Sequence, residues 1–261
     1  MAGMRRLILT ALLLFSGCQG NGSPPVEVPA RALPFVLVTP AGDATLRSEL
    51  EPLLASAVAR VEAWFGAPFA QPFTVTVFPH RADFDAAFPP EWGLERTECW
   101  MVASGVADRL MLLSPRAWAS EACEHDPSDT AELERLLAHE LAHVYHGQHN
   151  PSPDFVDTNG IDWFAEGLAV VVSGQLDSGQ LASAREALER GQAPTSLARA
   201  WTGKYRYGVS GSLVAFVERE LGRARVIELC GASTGDELLE LVGLDEQELL
   251  ARWRASLETS G

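Results

Sequence analysis

Basic charge is scarce in this chain of 261 residues, where 20 Lys and Arg stand against 35 Asp and Glu for a formal charge of −15. That balance offers no attraction to the phosphates of nucleic acid or to anionic lipid, so neither is expected as a partner. Long hydrophobic runs are missing as well. The apolar stretch 7–15 is far shorter than the roughly 20 residues a spanning helix needs. It follows Arg5 and Arg6, the order of a secretory signal peptide, which is expected over 1–17. Losing those two arginines makes the remainder more acidic still. Cysteine is sparse, at four, and no internal repeat or second domain is visible. With 47% hydrophobic residues, the remainder can bury one sizeable core.

The apolar run ends in Leu14-Phe15-Ser16-Gly17-Cys18, which resembles the lipobox of bacterial lipoproteins, with Phe15 in place of the usual Leu. The resemblance implies export, a lipid on Cys18 and attachment to a membrane of the cell envelope through that lipid. Residues 19–34 are rich in Gly, Ser, Asn and Pro and carry almost no periodic apolar pattern, so 18–34 reads as a tether. The folded domain is expected over 35–261. An oxidising location permits a disulfide among the other three cysteines. Cys99 and Cys123 flank one segment and are the expected pair, whereas Cys230 falls in a late helical stretch and reads as a buried apolar residue.

Residues 35–39 and 73–78 are short β-rich runs bounded by Pro, with 109–113 a third strand and 99–103 a fourth. Between the first two, Leu46, Leu50, Leu53, Leu54, Ala57, Val58, Val61 and Phe65 recur at helical spacing up to Gly66. Asp129, with Glu132 three residues on, opens a helix that runs to about His146. Further helices are expected over 162–172, 181–190, 212–221, 236–242 and 246–257. The fold class is α+β, a small N-terminal sheet with helices and a helical C-terminal portion. Residues 110–113 are expected to form the sheet edge along which an extended peptide pairs.

His139-Glu140-Leu141-Ala142-His143 matches the pattern His-Glu-x-x-His. Imidazoles at i and i+4 project from one helical face and can grip a single ion, most simply zinc, while Glu140 lies on the flank, placed as a general base. Three protein ligands are usual in a catalytic zinc site. His149 stands at the spacing of the third histidine in His-Glu-x-x-His-x-x-Gly-x-x-His. His146 occupies the glycine position, however, and no methionine follows Met111 to supply the accompanying Met-turn. His146 and His149 are expected at the helix end, either exposed or standing behind the metal ligands, where the dipole favours imidazolium.

Trp163-Phe164-Ala165-Glu166-Gly167-Leu168-Ala169 resembles the Trp-Leu-x-Glu-Gly-x-Ala segment of aminopeptidase-like gluzincins, with Phe164 for Leu. Tyr207-Gly208-Val209-Ser210-Gly211-Ser212-Leu213 is similar to the region that follows in peptidase MA-like proteins. The resemblance covers roughly residues 113–221. It implies a zincin-like fold, zinc as cofactor, Glu166 as third ligand, a peptide or protein as substrate, and Tyr207 as the phenol that steadies the oxyanion, with Tyr205 as its alternative. The rival expectation is a silent zincin-fold scaffold of the envelope, or a zinc-binding module using the four histidines His139, His143, His146 and His149.

Overall fold

Helix α1 (Ala44–Phe65) forms because Leu46, Leu50, Leu54, Ala57, Val58, Val61 and Phe65 recur every few residues, and all of them are buried. Asp43 caps its start by accepting the Leu46 N–H at 2.9 Å. Gly66 ends it at φ 73°, a left-handed turn that a side chain would strain. Leu54 has no exposed surface, and trimming such a residue to Ala costs about 2–5 kcal/mol.

The computed structural model describes residues 32–259. The expected signal peptide and the tether up to residue 31, Cys18 included, lie outside the described residues. No helix among the described residues is long and apolar enough to cross a membrane.

Four strands form one mixed sheet: β1 (Phe35–Val38), β2 (Phe73–Phe78), β3 (Ala103–Val106) and β4 (Arg109–Leu113), in the order β1-β2-β4-β3. The first two and β4 run parallel, and β3 lies antiparallel to β4. In β2 the buried Phe73, Val75 and Val77 alternate with half-buried neighbours, whereas β4 is buried without break from Leu110 to Leu113. Such a run belongs to an interior strand. Residues 110–113 are therefore not the edge expected from the sequence. The edges are β1 and β3, and β3 begins at Ala103 instead of ending there; a tight turn at Ala107-Asp108 folds it directly back on β4.

Nine further helices follow α1 among the described residues: α2 (Arg81–Ala86), α3 (Trp118–Glu121), α4 (Thr130–His149), α5 (Asp162–Ser173), α6 (Ser178–Glu189), α7 (Arg206–Leu221), α8 (Arg223–Leu229), α9 (Gly235–Val242) and α10 (Glu246–Thr259). The architecture is α+β, as the order of segments predicts. Asp129 caps α4 by accepting the Glu132 N–H at 2.9 Å, and α4 continues to His149, past the expected end at His146. Helix α7 begins at Arg206 and not at 212, which draws Tyr207 into its first turn.

Two backbone-to-backbone contacts lock the elements around α4. A Cβ on Gly105 of β3 would fall 2.2 Å from the Glu140 carbonyl oxygen, and one on Gly167 of α5 would fall 2.3 Å from that of Ser210 on α7. Only glycine lets these backbones approach so closely. Cys99 and Cys123 are bridged, with Cα atoms 5.3 Å apart, and Cys230 is a buried free thiol. The Arg81 guanidinium ties the bridged segment down, donating to the carbonyls of Cys99 at 3.1 Å and Glu121 at 2.9 Å. Bridge and arginine together hold Trp100 and Met101 at the lip of a cleft above α4.

Candidate metal centre

His139 and His143 leave α4 on one face because four residues bring a helix just over once around. Both are nearly buried, at 6% and 9% exposure. Helix α5 crosses this face and delivers Glu166. His139 Nε2 and His143 Nε2 lie 3.2 Å apart, and Glu166 Oε2 stands 3.4 Å from the first and 3.7 Å from the second. Ligand atoms of a tetrahedral zinc site, with bonds of about 2.0–2.1 Å, stand about 3.3–3.4 Å from one another. The triangle thus has the dimensions of three corners of such a site, and these three side chains together can hold a metal ion.

The tautomer of His139 suits that role. Its Nδ1–H donates to the amide oxygen of Gln175 at 2.8 Å, which leaves the Nε2 lone pair facing Glu166 and His143. Gln175 reaches this position because Gly174, at φ 76°, ends α5 in a left-handed turn. No sequence signal marked Gln175, since it belongs to no motif and its role exists only where α5 turns back over α4.

Electrostatics follow from burial and from the three-way contact. Burial would raise the Glu166 carboxyl, but His143 and His139 outweigh it and hold the group well below the usual carboxylate range. Burial would lower His143, but the Glu166 carboxylate, with help from Glu140, raises it instead. Glu140 is lifted above its ordinary value chiefly by loss of solvent, against the pull of His139 and His143 and of the Gly105 backbone. A carboxyl tuned upward beside a ligand triangle is suited to take and return protons.

Tyr207 lines the same cleft, its ring 6.5 Å from that of His139 and edge-on to Trp201 at 4.9 Å. Burial and the Glu166 carboxylate raise its phenol above the ordinary value, Arg206 opposing, so it stays a hydrogen-bond donor. Tyr205 faces elsewhere, into a separate recess beside Pro194 and Ala200, under the Lys204 ammonium at 4.4 Å. It is not available as the alternative phenol.

The remaining histidines of α4 stay out of the triangle. His149 is exposed, as expected; its Nδ1 bonds the Tyr145 carbonyl at 2.8 Å and its ring stacks on Tyr145 at 4.4 Å. It cannot serve as the third ligand. Of the two expectations for His146, exposure is overturned and so is the imidazolium, for it has no exposed surface at all. Phe155 and Phe164 pack on its ring at 4.9 and 5.6 Å, and neither of its nitrogens makes a hydrogen bond of normal geometry. Burial first, and the neighbouring His143 second, push it down to about 3, against a weak opposing pull from the Cys230 backbone. The physical reason is the extra turn of α4, which carries His146 beneath α5 instead of out at a terminus.

No protein-family model matches the chain, and no curated protein does. Among solved structures it is similar to the crystal structure of an M1 zinc metallopeptidase from Deinococcus radiodurans, at 18% identity and a TM-score of 0.41 over 86% of this chain. The match spans 46% of that protein, so this chain corresponds to about half its length.

Proposed function

We propose that the protein is a zinc-dependent peptidase whose metal is held by His139, His143 and Glu166. The observation that carries the reading is the triangle of ligand atoms at 3.2, 3.4 and 3.7 Å, with a buried carboxyl, Glu140, beside it. Zinc bound there supplies Lewis acidity, which polarises a carbonyl and acidifies water. Glu140 accepts the proton of the attacking water and delivers it to the departing amine. Tyr207 donates its hydroxyl proton in a hydrogen bond to the carbonyl oxygen as negative charge gathers there. The substrate is a peptide or protein segment lying in the cleft beside β3, whose free edge offers backbone groups for pairing. A location outside the cytoplasm, with a lipid anchor on Cys18, is part of the proposal; the lipobox-like segment and the Cys99–Cys123 bridge, which suits an oxidising compartment, support it.

The test is Glu140→Gln, which keeps the shape and all three ligands. Zinc-loaded wild type is incubated with a mixed peptide digest and new termini are read by mass spectrometry. Cleavage is expected from the wild type and about a hundredfold less or lower still from the variant at equal zinc content. A wild type that cleaves nothing, or a variant that cleaves equally fast, overturns the proposal.

A further inference from the structure

The cleft has two lobes that meet at His139, Glu140 and Tyr207. The lobe toward α6, about 450 Å³ in volume, holds two guanidinium groups, Arg135 and Arg206. Arg135 stands four residues before His139 on α4, hence on the same face one turn earlier. Arg206 opens α7, and its guanidinium carbon lies 4.7 Å from the centroid of Trp100, 5.4 Å from Trp201 and 5.2 Å from Tyr207. Rings on several sides fix the position of such a cation while leaving N–H groups at its edge to bind an acceptor.

These two arginines combine a place in the cleft with the lack of a carboxylate partner. Acidic residues outnumber basic ones by 35 to 20, and Arg60, Arg116, Arg190, Arg223 and Arg252 each sit within 4 Å of one. Among the described residues neither Arg135 nor Arg206 forms an ion pair, and Arg206 has, besides the three rings, one side-chain hydrogen bond, to Tyr207. Four acids line the same lobe, Glu124, Glu132, Asp177 and Glu140, and none of them forms an ion pair with either arginine. Asp177 caps α6 by accepting the Gln180 N–H at 2.9 Å, Glu132 faces His125 at 3.7 Å, and Glu124 is exposed.

We infer that Arg135 and Arg206 form a carboxylate-binding subsite, which makes carboxylate-bearing peptides the preferred substrates of the cleft. The inference rests on the peptidase reading above and adds a substrate class to it. Arg206 lies 5.2 Å from the Tyr207 ring, which lies 6.5 Å from that of His139. A carboxylate held there is no more than about four residues along an extended chain from the metal ligands. A free C terminus and an Asp or Glu side chain present the same planar group to the guanidinium fork.

Calorimetric binding to the zinc-loaded protein tests this with three short peptides that share a zinc-chelating hydroxamate. One ends in a free carboxylate, one in the neutral amide, and one in an amidated glutamate. At least one carboxylate probe is expected to bind on the order of tenfold more tightly than the neutral amide. That advantage disappears in the Arg135→Met, Arg206→Met double variant, while the affinity of the neutral amide holds. Arg135→Met alone, on a half-exposed helix face that leaves the aromatic stack intact, lowers the advantage in the same direction. An advantage confined to the free acid assigns the subsite to a C terminus, one confined to glutamate assigns it to a side chain, and one for both assigns it to either. Equal affinity for all three probes, or an advantage that survives the double variant, removes the subsite and leaves the peptidase reading standing. Failure of every probe to bind overturns the peptidase reading and the subsite with it.

Discussion

His139 and His143 on one side, and His146 and His149 on the other, ride on the same helix within ten residues of sequence, yet they live in different chemistries. At 100° per residue, His146 falls within about 20° of His139 around the axis, so helical periodicity places it on the metal-facing stripe. What separates the two is the residue that α5 sets opposite. Glu166 meets His139 and His143, whereas Phe164, two residues earlier on the same helix, meets His146 at 5.6 Å. A carboxylate across the interface creates a ligand triangle, and a phenyl ring creates a neutral, dehydrated imidazole. The lesson is that the opposing helix decides the role of a histidine as much as its own helix does.

The comparison breaks most visibly at the ligands. Replacing His139 and His143 together by Ala is expected to abolish zinc binding, and Glu166→Ala to weaken it severely, while His149→Ala leaves about one zinc per chain. Elemental analysis after dialysis reads this directly. Zinc lost from His149→Ala but kept by Glu166→Ala would move the third ligand to the helix end.

A smaller effect belongs to the support behind His139. Gln175→Leu removes the acceptor at 2.8 Å but no ligand, so zinc affinity should fall by about 10- to 100-fold without being lost. Competition with a chromogenic chelator measures it, and Gln175→Glu, which keeps an acceptor, should restore affinity. Unchanged affinity in Gln175→Leu would show that Nε2 of His139 needs no orienting partner.

The smallest effect sharpens the other side of the comparison. His146 titrates at about 3 in the folded protein against an ordinary value of 6.5, so between those values the unfolded chain holds the proton and the folded one does not. Its contribution to stability is therefore complete above pH 6.5 and lost as pH falls toward 3, at up to about 1.4 kcal/mol per pH unit. His146→Leu should flatten the fall of the unfolding free energy between pH 6.5 and 4 relative to wild type, with zinc binding at pH 7 preserved. Parallel denaturant curves across that range compare the two, and identical slopes would mean that His146 is not the group taking up the proton.

Helix α1, the start of α4, the α5 helix and the α+β class were legible because each rests on local chemistry: an apolar stripe of helical period, a capping aspartate, a terminating glycine. His139, Glu140 and His143 were legible for the same reason, since their spacing is a property of one helix. Glu166 and Tyr207 came from resemblance to a family, and geometry brings both to the cleft. The edge strand was misread. Ala103-Ser104-Gly105-Val106 has little β-forming character, and its place on the sheet edge depends on a glycine where a Cβ would fall 2.2 Å from the Glu140 carbonyl oxygen, a contact between residues 35 positions apart.

By itself, then, the sequence determined what one turn or one helix can encode: which segments are helical, where they start, and which imidazoles share a face. Tertiary structure alone decided that Gln175 turns back to orient His139, that His146 is sealed under two phenyl rings, and that Arg206 is held among Trp100, Trp201 and Tyr207 facing an open lobe. Those outcomes depend on which side chains distant segments bring opposite one another, and in a close-packed interior that is a property of the assembled elements, absent from any one of them.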